Sequence, residues 1–421
     1  MKITVHRGSH QIGGCVTEYS CQGWHLFVDY GEELPGTPQK GALKVEGLTH
    51  GDLSKSAMLI THYHGDHIGR IVELPEALPI YMSEMGRNIQ MVASEHLSYA
   101  LENHKQLLER LKQMKTFRPG QQFSFGPFDI IPIMVDHSAF DASAFKITAD
   151  GVSVFHTGDF RTHGFRSKTL PKVLTYLVGH VDYVVCEGTN IGRKDATSQT
   201  EQELQRELRT LFRKHKHNIV YVSSTNIDRL FALYHVAQKL DKPFIVSKYQ
   251  KQVMDCVAGR DPIWGKSTMY QYNEKYKILK LERLDKNKDF VINDKFQYLL
   301  DTKGSVVVAH TNDRFDHFIA EHLKGDIQKY LSMWDGYLKE GTDAYNPRLA
   351  QSLGKGYLYK HTSGHCDIQK MHEIFELLQP SAIIPIHTDN PDMFAQLFGN
   401  RWSILRLHDG ETFTPNSKHI I

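Results

Sequence analysis

Several apolar segments of this chain end on a polar or ionisable residue followed by a turn. They are HLFVDYG at Asp29, SAMLITHYHGDH from His62, FDIIPIMVDHS at His137, VSVFHTGDF at Asp159, VDYVVCEGTN at Glu187 and SAIIPIHTDN at His387. Segments that are apolar throughout, rather than at alternate positions, are strands buried on both faces. Such strands need a covering layer on each side, so the pattern predicts a layered α/β sandwich. It also predicts one functional rim, because each segment delivers its reactive group at its C-terminal end. Between these strands, Leu97, Leu101, His104, Leu108 and Leu111 recur at helical steps and predict a single amphipathic helix from Ser94 to Lys115.

A length of 421 residues accommodates about two domains. From about residue 190 to 360 a second α/β pattern takes over: a helix from about Thr200 to Lys216, strand NIVYVSS, a helix from Ile227 to Leu240, strand PFIVS and strand SVVVAH ending at His310. No linker composition marks its edges. The pattern predicts an inserted domain over 191–360, with 1–190 and 361–421 forming the first domain and the chain returning to it through SAIIPIHTDN.

Five cysteines without a C-x-x-C pair indicate neither a disulfide framework nor a thiolate zinc site and fit a reducing cytoplasm. A net charge of +2 gives no global polyanion signal, so a nucleic-acid surface has to be a local patch. Arg206, Arg209, Arg213, Lys214, Lys216, Lys242, Lys248 and Lys251 are candidates for such a groove, and Trp334 and Tyr337 either stack a base or, the favoured reading, pack inside. The sequence has no apolar run of about 18 residues to enter a membrane, and its opening MKITVHRGSH alternates as a strand does, without the apolar core of a secretory signal.

The 25 histidines are the compositional anomaly. In THYHGDH, His62 and His64 lie on one side of an extended backbone and can share an ion, while Asp66 and His67 project toward a second. One zinc takes four ligands and a catalytic zinc keeps one position for water, so this cluster exceeds a single ion.

The ordered series HxHxDH after a buried strand, then His137 in VDHSAFDA and Asp159 in HTGDFR, resembles the metallo-β-lactamase fold. The resemblance implies an αββα sandwich carrying an inserted α/β domain. It also implies that His62, His64 and His137 hold one metal, that Asp66 and His67 hold the second, and that Asp159 bridges them. Asp29 in FVDYG would orient a ligand. HTSGHCD and IIPIHTD are similar to motifs of the β-CASP nucleases, with Glu187 in VVCEGTN as the acidic motif. By that match His387 completes the second site, His365 faces the scissile phosphate, and His361, Thr362, Ser363, Gly364 and His365 contact substrate. Asp66, His365, Glu187 and Asp29 are then the catalytic candidates. Histidine at 387 accompanies action on RNA, and the nearest resemblance is to ribonuclease J, although Glu187-Gly188-Thr189 replaces the Asp-Ser-Thr of that group. SSTN at 223–226 reads first as a helix cap and second as a phosphate contact.

These features imply a ribonuclease with two Zn²⁺ per chain, Mn²⁺ being the alternative. It would hydrolyse single-stranded RNA through a two-metal-activated hydroxide, as a 5′–3′ exonuclease, an endonuclease or both. A homodimer remains open. The alternatives are a small-molecule ester, lactone or thioester hydrolase on the same fold, which has no use for the insertion, and a non-catalytic RNA-binding subunit, which would have lost ligands.

Overall fold

The computed structural model describes residues 1–37, 41–99, 101–193, 199–259, 268–282 and 289–415. The chain divides into two compact units, Met1–Ser198 with Ser363–Ile421, and Gln199–Thr362.

Among the described residues, the first unit contains two seven-stranded sheets. One runs in the order Glu411–Phe413, Lys2–Arg7, Val16–Cys21, Trp24–Val28, Ser56–Leu59, Ile80–Ser83, Lys115–Phe117. The other runs Ser403–Ile404, Ala382–Ile386, Tyr183–Glu187, Val152–His156, Ser143–Ala149, Phe128–Met134, Phe123–Phe125. Val28 and Leu59 from the first sheet and Ile130, Phe145, Val154, Val185 and Ile384 from the second form one core, each at most 1% exposed. Helix Glu84–Ser98 packs on the first sheet and helix Pro391–Phe398 on the second, which gives the αββα layering. Each fully buried aliphatic side chain in that core contributes about 1.5–3 kcal/mol relative to exposure.

Pairing of Ala382–Ile386 in parallel with Tyr183–Glu187, in the register Glu187↔Ile386, sets His387 just beyond Glu187. The single helix expected from Ser94 to Lys115 is two helices, Glu84–Ser98 and Glu102–Gln113. Leu101 is extended and 46% exposed between them, while residue 100 of that expectation lies outside the described residues. The second helix takes its direction from Arg110, whose guanidinium donates to the carbonyls of Pro75, Glu76 and Leu78, a tether that hydrophobic periodicity does not reveal.

The second unit is built on a parallel sheet ordered Ile278–Leu281, Phe244–Ser247, Ser305–Ala309, His217–Tyr221, Ile327–Leu331, Leu358–Tyr359. Helix Glu201–Lys214 opens on a reciprocal cap between Thr200 and Glu203, and Asn226 caps helix Ile227–Lys239. Two expectations change here. Lys242 is not part of a basic groove, since its ammonium donates to the carbonyls of Phe212, His215 and Lys216. Trp334 and Tyr337 do not pack inside: they are 45% and 37% exposed, because they ride on the short turn Asp335–Leu338 beyond the end of a strand rather than on the sheet.

Candidate metal centre

The strand Ser56–Leu59 ends three residues before His62, and the chain then turns through His64 into the short helix Gly65–Ile68 that carries Asp66 and His67. Gly31 makes this turn fit, since a Cβ there would lie 1.7 Å from the Asp66 carbonyl oxygen. Asp29 and His387 follow strand ends with φ of +63° and +51°, left-handed values that a side chain adopts at a cost.

Among the described residues three groups of potential donors form within the first unit, one of them Asp159, Glu187 and His365. His62, His64 and His137 converge, as do Asp66, His67, Asp159 and His387, and within each group the ligand atoms lie within 4.8 Å of one another. Asp159 stands between them, its Oδ2 3.2 Å from His67 Nε2, 3.9 Å from His62 Nε2 and 4.0 Å from His137 Nε2.

The outward nitrogen of most of these rings is held by protein. His62 Nδ1 lies 3.0 Å from Thr61 Oγ1, His137 Nδ1 donates to the Gly364 carbonyl at 2.6 Å, and His67 Nδ1 donates to Asp29 at 2.8 Å. His387 Nδ1 lies 2.8 Å from Thr189 Oγ1. Asp29 is itself fixed by the Thr61 backbone N–H and hydroxyl, each at 2.8 Å. The Nε2 lone pairs of these rings therefore point inward, the arrangement that ligands of a metal require.

The donor set fits a cation. His64 Nδ1 lies 3.1 Å from His62 Nε2 and 3.2 Å from His137 Nε2, yet it can donate at most one proton to two facing lone pairs. Asp159 Oδ1 is buried and accepts no hydrogen bond. Burial holds His62 and His137 well below the usual imidazole range and takes His64 down to about 4, so all three are neutral, the form that binds metal. Burial also opposes charge on His67, but Asp159, Asp66 and Asp29 outweigh it and raise that imidazole. Conversely, burial would raise Asp66 and Asp159, yet the surrounding histidines, His67 and His387 foremost, hold both below the carboxylate range.

His365 is adjacent, with Nδ1 3.2 Å from Glu187 Oε1 and 3.8 Å from Asp159 Oδ2, and its side chain is 20% exposed. Burial lowers its affinity for a proton, and the Glu187 and Asp159 carboxylates more than restore it. Glu187 is fully buried, with one oxygen on His365 Nδ1 and the other taken by the Thr189 N–H, so it positions His365.

The expected substrate-contact run divides. Gly364 serves His137 through its carbonyl, and a Cβ there would come within 3.1 Å of that ring. Ser363 Oγ accepts from the His365 N–H and from Asn190. His361 and Thr362 belong to the second unit, where the buried Thr362 hydroxyl is committed to the Gln199 carbonyl. Sequence reading passed over the residues that hold this loop. Asn190 Nδ2 donates to the carbonyls of His365 and Cys366 at 3.0 and 3.1 Å, and His163 Nε2 donates to the Ser363 carbonyl at 2.7 Å. Asp136 binds Arg161 Nε at 2.8 Å and the Arg166 N–H at 2.7 Å. Thr61, a hydroxyl next to the imidazole of His62, is the detectable one, while Thr189 stands in the acidic motif itself.

Residues 50–207 match the β-lactamase superfamily domain. The chain has the αββα metallo-β-lactamase fold. It is similar to ribonuclease J of Mycobacterium tuberculosis (25% identical over 256 residues, 58% of this chain and 43% of that protein). It is likewise similar to ribonuclease J of Helicobacter pylori (26% over 261 residues, 58% and 36%) and of Sinorhizobium meliloti (21% over 424 residues, 92% and 68%). The chain thus spans less than half the length of the first two of these curated relatives. A solved structure, a protein of unknown function from Enterococcus faecalis V583, shares the fold, with a TM-score of 0.71 at 18% identity over 98% of this chain and 99% of that one.

Proposed function

We propose that this protein is a metal-dependent phosphodiesterase that cleaves single-stranded RNA in a reducing cytoplasm. The observation that carries the reading is His365, held on Glu187 beside seven clustered candidate donors. Five imidazoles and two carboxylates leave a pair of divalent ions with net positive charge, which suits a phosphodiester anion better than a neutral ester. His62, His64 and His137 would hold one ion, Asp66, His67 and His387 the other, and Asp159 lies between them. Zn²⁺ is the natural occupant of so histidine-rich a set, with Mn²⁺ as the alternative. Ions bound there would acidify water toward neutral pH and stabilise charge on phosphorus.

The chain's own residues do the rest. Asp29 and Thr189 fix the tautomers of His67 and His387. Glu187 engages His365 through Nδ1, leaving Nε2 for a phosphate oxygen or for protonating the leaving group. Asn190 and His163 keep the 363–366 loop in place. Similarity to ribonuclease J over 92% of the chain supports RNA as the substrate.

The test is incubation of Zn²⁺- or Mn²⁺-loaded protein with 5′-monophosphorylated, end-labelled single-stranded RNA. Cleavage that His64→Ala abolishes is expected, and the product pattern separates exonuclease from endonuclease action. No cleavage, or faster turnover of thioesters or lactones than of RNA, overturns the reading.

A further inference from the structure

Within Gln199–Thr362, parallel strands His217–Tyr221, Ile327–Leu331 and Leu358–Tyr359 lie side by side and end on the same edge. The carboxyl edge of an open parallel sheet is where such folds bind ligands. Arg229, fully buried, ties that edge together by bonding Glu201, the Ser332 hydroxyl and the Lys360 carbonyl. Three aromatic rings stand out on it: Trp334, Tyr337 and Tyr359 are 45%, 37% and 44% exposed. The Trp334 and Tyr337 rings meet edge-to-face at 5.4 Å, and Tyr359 lies against Asp335 of the same turn.

Trp334 is also held in place. A Cβ on Gly336 would fall 2.2 Å from its ring, so one face of the indole lies flat on the glycine backbone. The neighbouring side chains Asp335, Lys339 and Glu340 are exposed and charged, so the rings are islands rather than part of a broad apolar face. A protein partner wants a contiguous apolar patch, whereas an unpaired nucleobase needs one open, rigid ring face with polar groups at its rim.

Resting on the RNA reading above, we infer that Trp334, Tyr337 and Tyr359 form a platform on the second unit on which bases of single-stranded RNA stack. The test measures binding of fluorescein-labelled single-stranded RNA by anisotropy, with chelator to prevent turnover. Trp334→Ala and Tyr359→Ala each weaken binding by about 5- to 100-fold, and Trp334→Phe retains most of it. Gly336→Ala, which displaces the ring without removing it, weakens binding too. Hydrolysis of bis(p-nitrophenyl) phosphate by the metal-loaded variants stays at the wild-type level, and binding of duplex RNA, whose base faces are covered, does not change. Wild-type affinity in Trp334→Ala and Tyr359→Ala overturns the platform while leaving the nuclease intact. A change of oligomeric state in those variants, with RNA affinity unaltered, reassigns the patch to a contact between copies. Failure of the wild-type protein to bind or cleave RNA removes the functional reading and the platform with it.

Discussion

Thr189 is the clearest place to separate the two jobs of a side chain in this centre. Its hydroxyl, 2.8 Å from His387 Nδ1, decides which nitrogen of that imidazole carries the proton, while the hydroxyl is too far out to be a ligand itself. Thr189→Val keeps the shape and removes the bond, so metal affinity should fall by about 10- to 100-fold with little change in melting temperature. Competition with a chromophoric chelator reads this directly, and an unchanged affinity would mean that strand geometry alone orients His387. Glu187→Gln poses the complementary question at His365. Glutamine still reaches Nδ1 but withdraws the negative charge, so kcat on RNA should drop by roughly 10²-fold while bound metal remains at the wild-type level. Loss of metal in that variant would show that Glu187 acts on the donor set instead.

At the scale of elements, the loop from His137 to Asp141 shows how a strand end is anchored. Asp141, with φ of +64° and 5% exposed, sets its carboxyl at the start of helix Glu84–Ser98, near the N–H groups of Met85 and Gly86. Burial pushes it up to about 6, against the opposing effects of Ser83 and Arg166. A carboxyl whose folded pKa is raised contributes stability that is fully present below the ordinary carboxylate range and is lost as pH rises through about 6, on the order of 3 kcal/mol in all. Asp141→Asn does not titrate, so its stability relative to wild type should improve between pH 4.5 and pH 7.5. Urea unfolding at the two pH values measures this, and parallel behaviour of the two proteins would refute it. Strand ends of this kind were legible in the sequence because an apolar run and the residue that follows it are neighbours in the chain. What holds them was not. Asn190 meets His365 and Cys366, and His163 meets Ser363, across about 200 positions that no local pattern spans. The break near residue 101 is hidden for a related reason: leucine spacing continues across the bend, although of that stripe only Leu111 is buried and Leu101 is exposed. Residue type alone favours burial of Trp334, and the turn that follows it puts it outside.

At the scale of the whole molecule, chemistry and stability are unevenly distributed between the two units. All seven candidate donors, with His365 and Glu187, belong to Met1–Ser198 and Ser363–Ile421, while Gln199–Thr362 contributes none of them. Metal that binds only the folded state stabilises by RT ln(1 + [L]/Kd), about 2.7 kcal/mol per site at a hundredfold excess over Kd. For a unit of this size each kcal/mol moves the melting temperature by about 2–4 °C. Saturating Zn²⁺ should therefore raise the unfolding of the first unit by about 5–10 °C per site over chelator-treated protein and leave the second unit where it was. Hydrogen exchange during a temperature ramp assigns each transition: amides of strand Tyr183–Glu187 should gain protection with metal, and those of strand His217–Tyr221 should not. Equal gains in both strands would mean that the units unfold as one cooperative body and that metal in the first governs the persistence of the second. No gain in either would dismiss the donor set as a metal centre, because a cluster that brings His64 Nδ1 within 3.2 Å of two other imidazole nitrogens has its physical justification in a cation.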